Sequence, residues 1–189
     1  MKFPKILMGA LAASFLFVST PASADYIPET TPAQADERGV DLMVEYLSIE
    51  QFTPSRLEFR KLSSDPAADL ITVAQRRSYP VSLRARAIQS LPLYKADERA
   101  ADAIDSLMTS FQPGQKLFGP TLVSYASMHG ESVTEAISPY AEHPNPEVRM
   151  AAVIALGRFC GQAGYDMLTN LVHDEEDSDV LARIRKYVG

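Results

Sequence analysis

The run Asn145-Pro146-Glu147-Val148-Arg149-Met150-Ala151-Ala152-Val153-Ile154-Ala155-Leu156-Gly157 decides the architecture of this chain. Its first two residues announce a helix. Asn145 is of the type that caps a helix by accepting a free backbone N–H, and Pro146 fits the first helical position, where a missing N–H costs nothing. Behind them Val148, Ala152, Leu156 and Phe159 follow at steps of four, four and three. They form one apolar stripe along a helix that runs from Asn145 to Cys160.

The same design stands 65 residues earlier. From Pro80 to Tyr94 the stripe is Leu83, Ala87, Leu91 and Tyr94, with the same steps. Between the two copies lies Pro113, which is 33 residues from both Pro80 and Pro146. Each of these prolines is expected at the start of a helix. The helix after Pro113, from Gly114 to Met128, carries Phe118, Leu122 and Tyr125, and Gly119-Pro120 predicts a kink or a delayed start. An amphipathic partner precedes each helix. Leu70, Ile71 and Ala74 mark the partner at 66–77, Ala100, Ile104, Leu107 and Phe111 the one at 97–111, and Val133, Ile137 and Tyr140 the one at 131–142, where Pro139 weakens the end. A further pair spans 164–173 and 178–188, with Leu168, Leu171, Leu181 and Ile184 inward. A diverged pair spans 36–50 and 53–63, with Thr53-Pro54 capping its second helix. Five helix pairs are predicted, starting near 36, 66, 97, 131 and 164. No alternating run of β-branched residues suggests a strand. Self-similarity at such a period is the signature of a stacked repeat array, in which each pair buries its stripe against its neighbours.

The segment Asn145 to Gly157 resembles the second helix of a HEAT repeat, especially the short bacterial form named after phycobilisome lyases. The features in common are the Pro-acid-Val-Arg opening, the alanine three residues after Arg149, and Leu156-Gly157. Leu83-Arg84-Ala85-Arg86-Ala87 and Leu91 carry a weaker copy, with Pro92 in place of the glycine. The resemblance covers about 66–189. It implies an all-α fold, an α-solenoid built as a right-handed superhelix of about five stacked antiparallel helix pairs. In the family an aspartate before the Val-Arg pair often joins an arginine ladder. Here His143 or Tyr79 stands near that place, which points to an incomplete ladder. Second helices in such arrays usually line the inner face. By helical phase Arg86, Gln89 and Ser90 from one repeat, and Met150, Ile154 and Arg158 from another, point away from the core. Arg86, Gln89, Met150, Ile154 and Arg158 are therefore the candidate protein-binding residues, with Met150 and Ile154 apolar on a polar face.

The first residues read as an address. Lys2 and Lys5 precede an apolar run from Ile6 to Val18, and Ala22-Ser23-Ala24 fits a small-x-small cleavage site. The run is shorter than the roughly 20 residues of a membrane-spanning helix. A secretory signal over 1–24, a flexible leader over 25–35 and a solenoid domain over 36–189 are expected, hence export to a periplasm or the exterior. The net charge of −6 disfavours nucleic acid and anionic membrane surfaces as partners, because both need clustered Lys and Arg. With Cys160 as the one cysteine, no internal disulfide is possible, and a buried thiol is the expected state.

No catalytic constellation is legible. His129 and His143 bracket one helix and stand roughly 18 Å apart at 1.5 Å per residue. His143 and His173 stand at matching ends of first helices; two unrelated surface histidines are the expected reading, and a pH-sensitive edge beside Asp174 is the alternative. The acidic run Asp174-Glu175-Glu176-Asp177-Ser178-Asp179 lacks the glycine and distal glutamate of a calcium loop. It reads as a solvated turn in which Asp177 or Ser178 caps the last helix. The deoxyhypusine hydroxylases, a metalloenzyme class on a similar scaffold, need several His-Glu pairs, and His129-Gly130-Glu131 is no match. The sequence thus points to an exported, non-enzymatic scaffold with no cofactor or metal, binding a protein or peptide along its inner face. The alternatives are a structural subunit of an envelope assembly, stacked through its end repeats, or an accessory protein to a lyase or other enzyme.

Overall fold

In a computed structural model of the protein, which describes residues 37–189, helix follows helix in antiparallel pairs. In chain order these are α1 (Glu37–Ser48), α2 (Arg56–Leu62), α3 (Pro66–Gln75), α4 (Val81–Ser90), α5 (Glu98–Ser110), α6 (Phe118–His129), α7 (Thr134–Ala141), α8 (Pro146–Phe159), α9 (Gly161–Leu171) and α10 (Ser178–Val188). Short 3₁₀ turns at Leu91–Tyr94 and Gly130–Val133 link α4 to α5 and α6 to α7. From α4 on, each second helix packs on the next, α4 on α6, α6 on α8 and α8 on α10, while the first helices α1, α3 and α5 stack beside them. Among the described residues no strand occurs, and the architecture is the stacked all-α solenoid that the repeat predicts. The expected signal (1–24) and leader (25–35) lie outside the described residues.

The helix starts follow from caps that are written locally. Asn145 accepts the N–H of Glu147 at 2.9 Å, and Pro146 takes the first position of α8. Asp65 and Asp97 cap α3 and α5, and Asp177 accepts the N–H groups of Asp179 and Val180 at 3.0 and 3.1 Å to open α10. Three expected starts shift. Pro80 is the residue before α4 rather than its first, with extended backbone at φ −52° and ψ 144°. α2 is capped by Ser55, not by Thr53-Pro54, because the Ser55 hydroxyl takes the N–H of Glu58. Pro113 opens no helix. The Gly119-Pro120 pair delays α6 to Phe118, which puts Pro120 in the first turn, where a missing N–H removes no helical bond. Pro139 lies inside α7, and the Glu135 carbonyl that it cannot reach is taken by the Ser138 hydroxyl at 3.0 Å.

The two repeated stripes are both turned inward. Leu83, Ala87, Leu91 and Tyr94 are buried, as are Val148, Ala152 and Leu156, while Phe159 is half-buried. The core falls into two clusters. One is built on α1 to α5 and closes at Leu117, and the other runs from Phe118 to Ile184. Phe111 and Tyr125 touch both. Small residues set the spacing in the second cluster. A Cβ on Gly119 would stand 3.3 Å from that of Ala151, and one on Gly157 would run into the Tyr187 ring of α10. Gly157 therefore lets the last helix lie directly on α8. Cys160 is fully buried with its Sγ 3.8 Å from the Gly130 carbonyl, and burial pushes its thiol pKa up, so it packs as the expected neutral side chain.

Candidate binding groove and the edge of inter-helix turns

Side chains that stand far apart in sequence meet in a groove of about 540 Å³ across the second helices. α4 supplies Gln89, the following 3₁₀ turn Pro92 and Leu93, α6 Val123, Ser124 and Ser127, and α8 Arg158 and Phe159. Pro54, just before α2, closes one end. The helical phase explains the set. Leu83, Ala87 and Leu91 turn one side of α4 inward, which leaves Gln89 exposed on the other. In α8 the inward stripe likewise leaves Arg158 exposed, its guanidinium 5.3 Å from the centroid of the Phe159 ring. Ser124 is not available to a ligand, because its hydroxyl donates to the Ile88 carbonyl at 3.1 Å and ties α6 to α4. The groove thus offers an apolar floor of Pro92, Leu93, Val123 and Phe159 with a cation at its rim and no carboxylate among its lining residues.

The candidate residues do not act as one set. Gln89 and Arg158 share the groove. Arg86 is engaged elsewhere: it donates to the carbonyls of Leu47 and Ile49 at 2.6 and 2.7 Å, tying off the end of α1, and lies 5.6 Å from the Phe52 ring centroid. Ser90 is buried with its hydroxyl on the Arg86 carbonyl, so its outward phase is corrected by the 3₁₀ turn at Pro92 and the packing that follows it. Met150 packs against the second core cluster, and Ile154 is half-buried. Val123, Leu93 and Pro92 are absent from the sequence candidates, since they are ordinary apolar residues until the stacking brings their helices together.

A second feature runs along the turns that join first to second helices. Arg149 donates to both carboxylate oxygens of Glu175, Nε to Oε2 and a terminal nitrogen to Oε1, each at 2.8 Å, and to the carbonyls of His143 and Pro144 at 2.9 and 3.2 Å. The side chain of Glu175 is 5% exposed and that of Arg149 17%, so this is a part-buried, forked pair. Arg149 holds the Glu175 carboxyl below its ordinary range, and the carboxylate in turn raises the arginine. The acidic run is therefore more than a solvated turn: Asp177 caps as expected, while Glu175 locks one repeat to the next. The ladder expected to be incomplete is completed at this repeat from the following turn. At the other edge Arg99 pairs with Asp65 and Asp97, each contact at 2.7 Å, and so joins the caps of α3 and α5. His129 meets Asp105 at 2.7 Å, and His143 accepts the N–H of Asn145 through Nδ1 at 3.0 Å. Among the described residues no cluster of His, Cys, Asp and Glu is placed to hold a metal, and no helix is long and apolar enough to cross a membrane.

The family model for HEAT repeats matches residues 123–187, which hold most of α6 and all of α7 to α9 with nearly all of α10. Residues 123–187 carry HEAT repeats. Helix pairs of this family generally serve as scaffolds for protein interaction, and the matched segment contains both Arg149 and the Leu156-Gly157 pair on which the likeness rests. A search of the curated proteins finds no match.

Proposed function

We propose that this HEAT-repeat protein is a non-enzymatic scaffold that holds a protein or peptide segment in the groove across α4, α6 and α8. One observation carries the reading: three successive repeats contribute to one groove with an apolar floor and a charged rim, the arrangement that suits an extended segment with apolar side chains. Gln89 and Arg158 are its polar contacts, and Arg86, Met150 and Ile154 support the helices that shape it. The lysines and the apolar run before Ala24 support a location outside the cytoplasm as part of the same proposal. End-to-end stacking into a larger assembly is the weaker reading. α1 presents Glu37, Arg38, Asp41 and Glu45 outward at one end, and α10 presents Arg185 and Lys186 at the other. Charged end helices resemble the polar caps that close repeat arrays.

The test is site-specific crosslinking in native cells from a photoreactive residue at Gln89, compared with one at Tyr165, which is exposed on α9. Crosslinks to a discrete partner should form from position 89 and disappear in Arg158→Glu. Equal labelling from the two positions would remove the groove from consideration.

A further inference from the structure

Four of the five turns between first and second helices, those after α3, α5, α7 and α9, follow one another along one edge of the solenoid, and contacts show them to be neighbours. Arg84, at the start of α4, lies under the Phe111 ring of the α5–α6 turn, with 6.0 Å to the ring centroid. A Cβ on Gly114 of that turn would stand 3.5 Å from Asn145 of the α7–α8 turn. Arg149 beside that turn grips Glu175 of the α9–α10 turn. Along this edge the exposed charge changes sign. The α3–α4 turn presents Arg76 and Arg77, and the α5–α6 turn presents Lys116. The α7–α8 turn presents Glu142, with Glu147 just inside α8, and the α9–α10 turn presents Asp174 and Glu176, with Asp179 just inside α10. From α3 on the order is cation, cation, anion, anion, while the α1–α2 turn, which presents Glu50, would overhang a partner paired through the other four.

Such an order is complementary to itself when reversed. A two-fold axis across the middle of the edge would set the α3–α4 turn of one copy against the α9–α10 turn of the other. It would also set the α5–α6 turn against the α7–α8 turn. All four meetings bring opposite charges together, as an isologous interface requires. We propose that this edge is a self-recognition surface on which a second copy of the chain docks antiparallel, Arg76 and Arg77 against Asp174 and Glu176, Lys116 against Glu142. The observation is independent of the groove, which lies across the second helices and shares none of these residues. Buried Arg84 adds to the positive end, with a terminal nitrogen that has no hydrogen-bond partner, whereas Arg149 at the negative end is neutralised by Glu175.

A charge swap tests the pairing. Because the net charge of −6 opposes association of any two copies, salt dependence alone is a poor criterion, and complementarity must be exchanged within the edge. Sedimentation velocity on the full chain should find dimers. Arg76→Glu with Arg77→Glu should sediment as a monomer, as should Asp174→Arg with Glu176→Arg, each with an unchanged helical circular dichroism spectrum. Mixed in equal amounts, the two variants should recover the dimer, since each altered turn then faces its new opposite. Should either variant fold poorly, the milder pair Lys116→Glu and Glu142→Lys gives the same pattern with smaller shifts. A wild-type chain that stays monomeric, variants that dimerise as well as wild type, or a mixture that does not recombine would each overturn the proposal.

Discussion

Arg84 and Arg149 occupy the same place in two repeats, 65 residues apart, and the structure gives them different company. Arg149 has a forked carboxylate and two backbone carbonyls. Arg84 has one carbonyl, that of Ala74 at 2.9 Å, an aromatic ring, and a buried terminal nitrogen without a hydrogen-bond partner. Burial and the nearby Arg77 push its pKa down, where Glu175 pushes that of Arg149 up. The same helix start therefore serves as an electrostatic lock in the second core cluster and as a packed, under-satisfied cation in the first. Repeated sequence fixes where a residue points; the next repeat decides what it meets.

The largest expected effect probes what the two halves share. Leu91→Ala and Leu156→Ala remove matching fully buried side chains, and each should cost about 2–5 kcal/mol in denaturant unfolding. Similar losses would support equivalent packing in the two stripes, and a large gap would show that one cluster carries the fold. The next test is meant to break the likeness. Glu175→Gln leaves the part-buried Arg149 without its counter-charge and should cost roughly 2 kcal/mol. Arg84→Met takes away a single hydrogen bond and an unmet donor, and should stay within about 1 kcal/mol of wild type. Equal losses would refute the contrast.

Acid sharpens the comparison further. The folded Glu175 carboxyl is held below its unfolded value, so its contribution to stability is present above that value, at about 4.3, and is lost as pH falls through the folded one. Wild type should lose stability over this window, and Glu175→Gln should lose less, measured by urea unfolding from pH 6 down to about 3. Asp65 and Asp97 are held low by Arg99 in the same direction, but these groups are far more exposed. The smallest expected effect follows: Arg99→Gln should cost at most about 1 kcal/mol and fade with added salt.

Much of the fold is legible in the chain's own residues. Asn145-Pro146 marks the start of α8 because a side-chain cap and a proline act through adjacent backbone groups alone. The delay of α6 is legible in Gly119-Pro120 for the same reason, whereas α7 runs on through Pro139 to Ala141 because Ser138 takes the carbonyl that the proline leaves free. Pro80 and Pro113 are harder. A proline before a helix and a proline inside one differ only by whether the next turn closes, and that depends on what packs against it. The Arg149–Glu175 pair is illegible because an acidic run in isolation reads as solvated. Only the stacking of the α9–α10 turn over the start of α8 removes that carboxylate from water. The groove is half legible. Phase places Gln89 and Arg158 outward, but Val123 and Leu93 acquire meaning only when α4, α6 and α8 stand side by side.

The all-helical class, the helix pairs and the inward stripes are written in the residues themselves. Caps, prolines and a period of 3.6 act over one or two turns, and a local signal needs no partner to be read. The tertiary structure alone decided which repeated arginine is neutralised, where the groove lies and how charge is ordered along the turn edge. Each of these depends on residues far apart in sequence meeting across stacked repeats, and on burial, which sets the strength of a charge and is a property of the packed molecule.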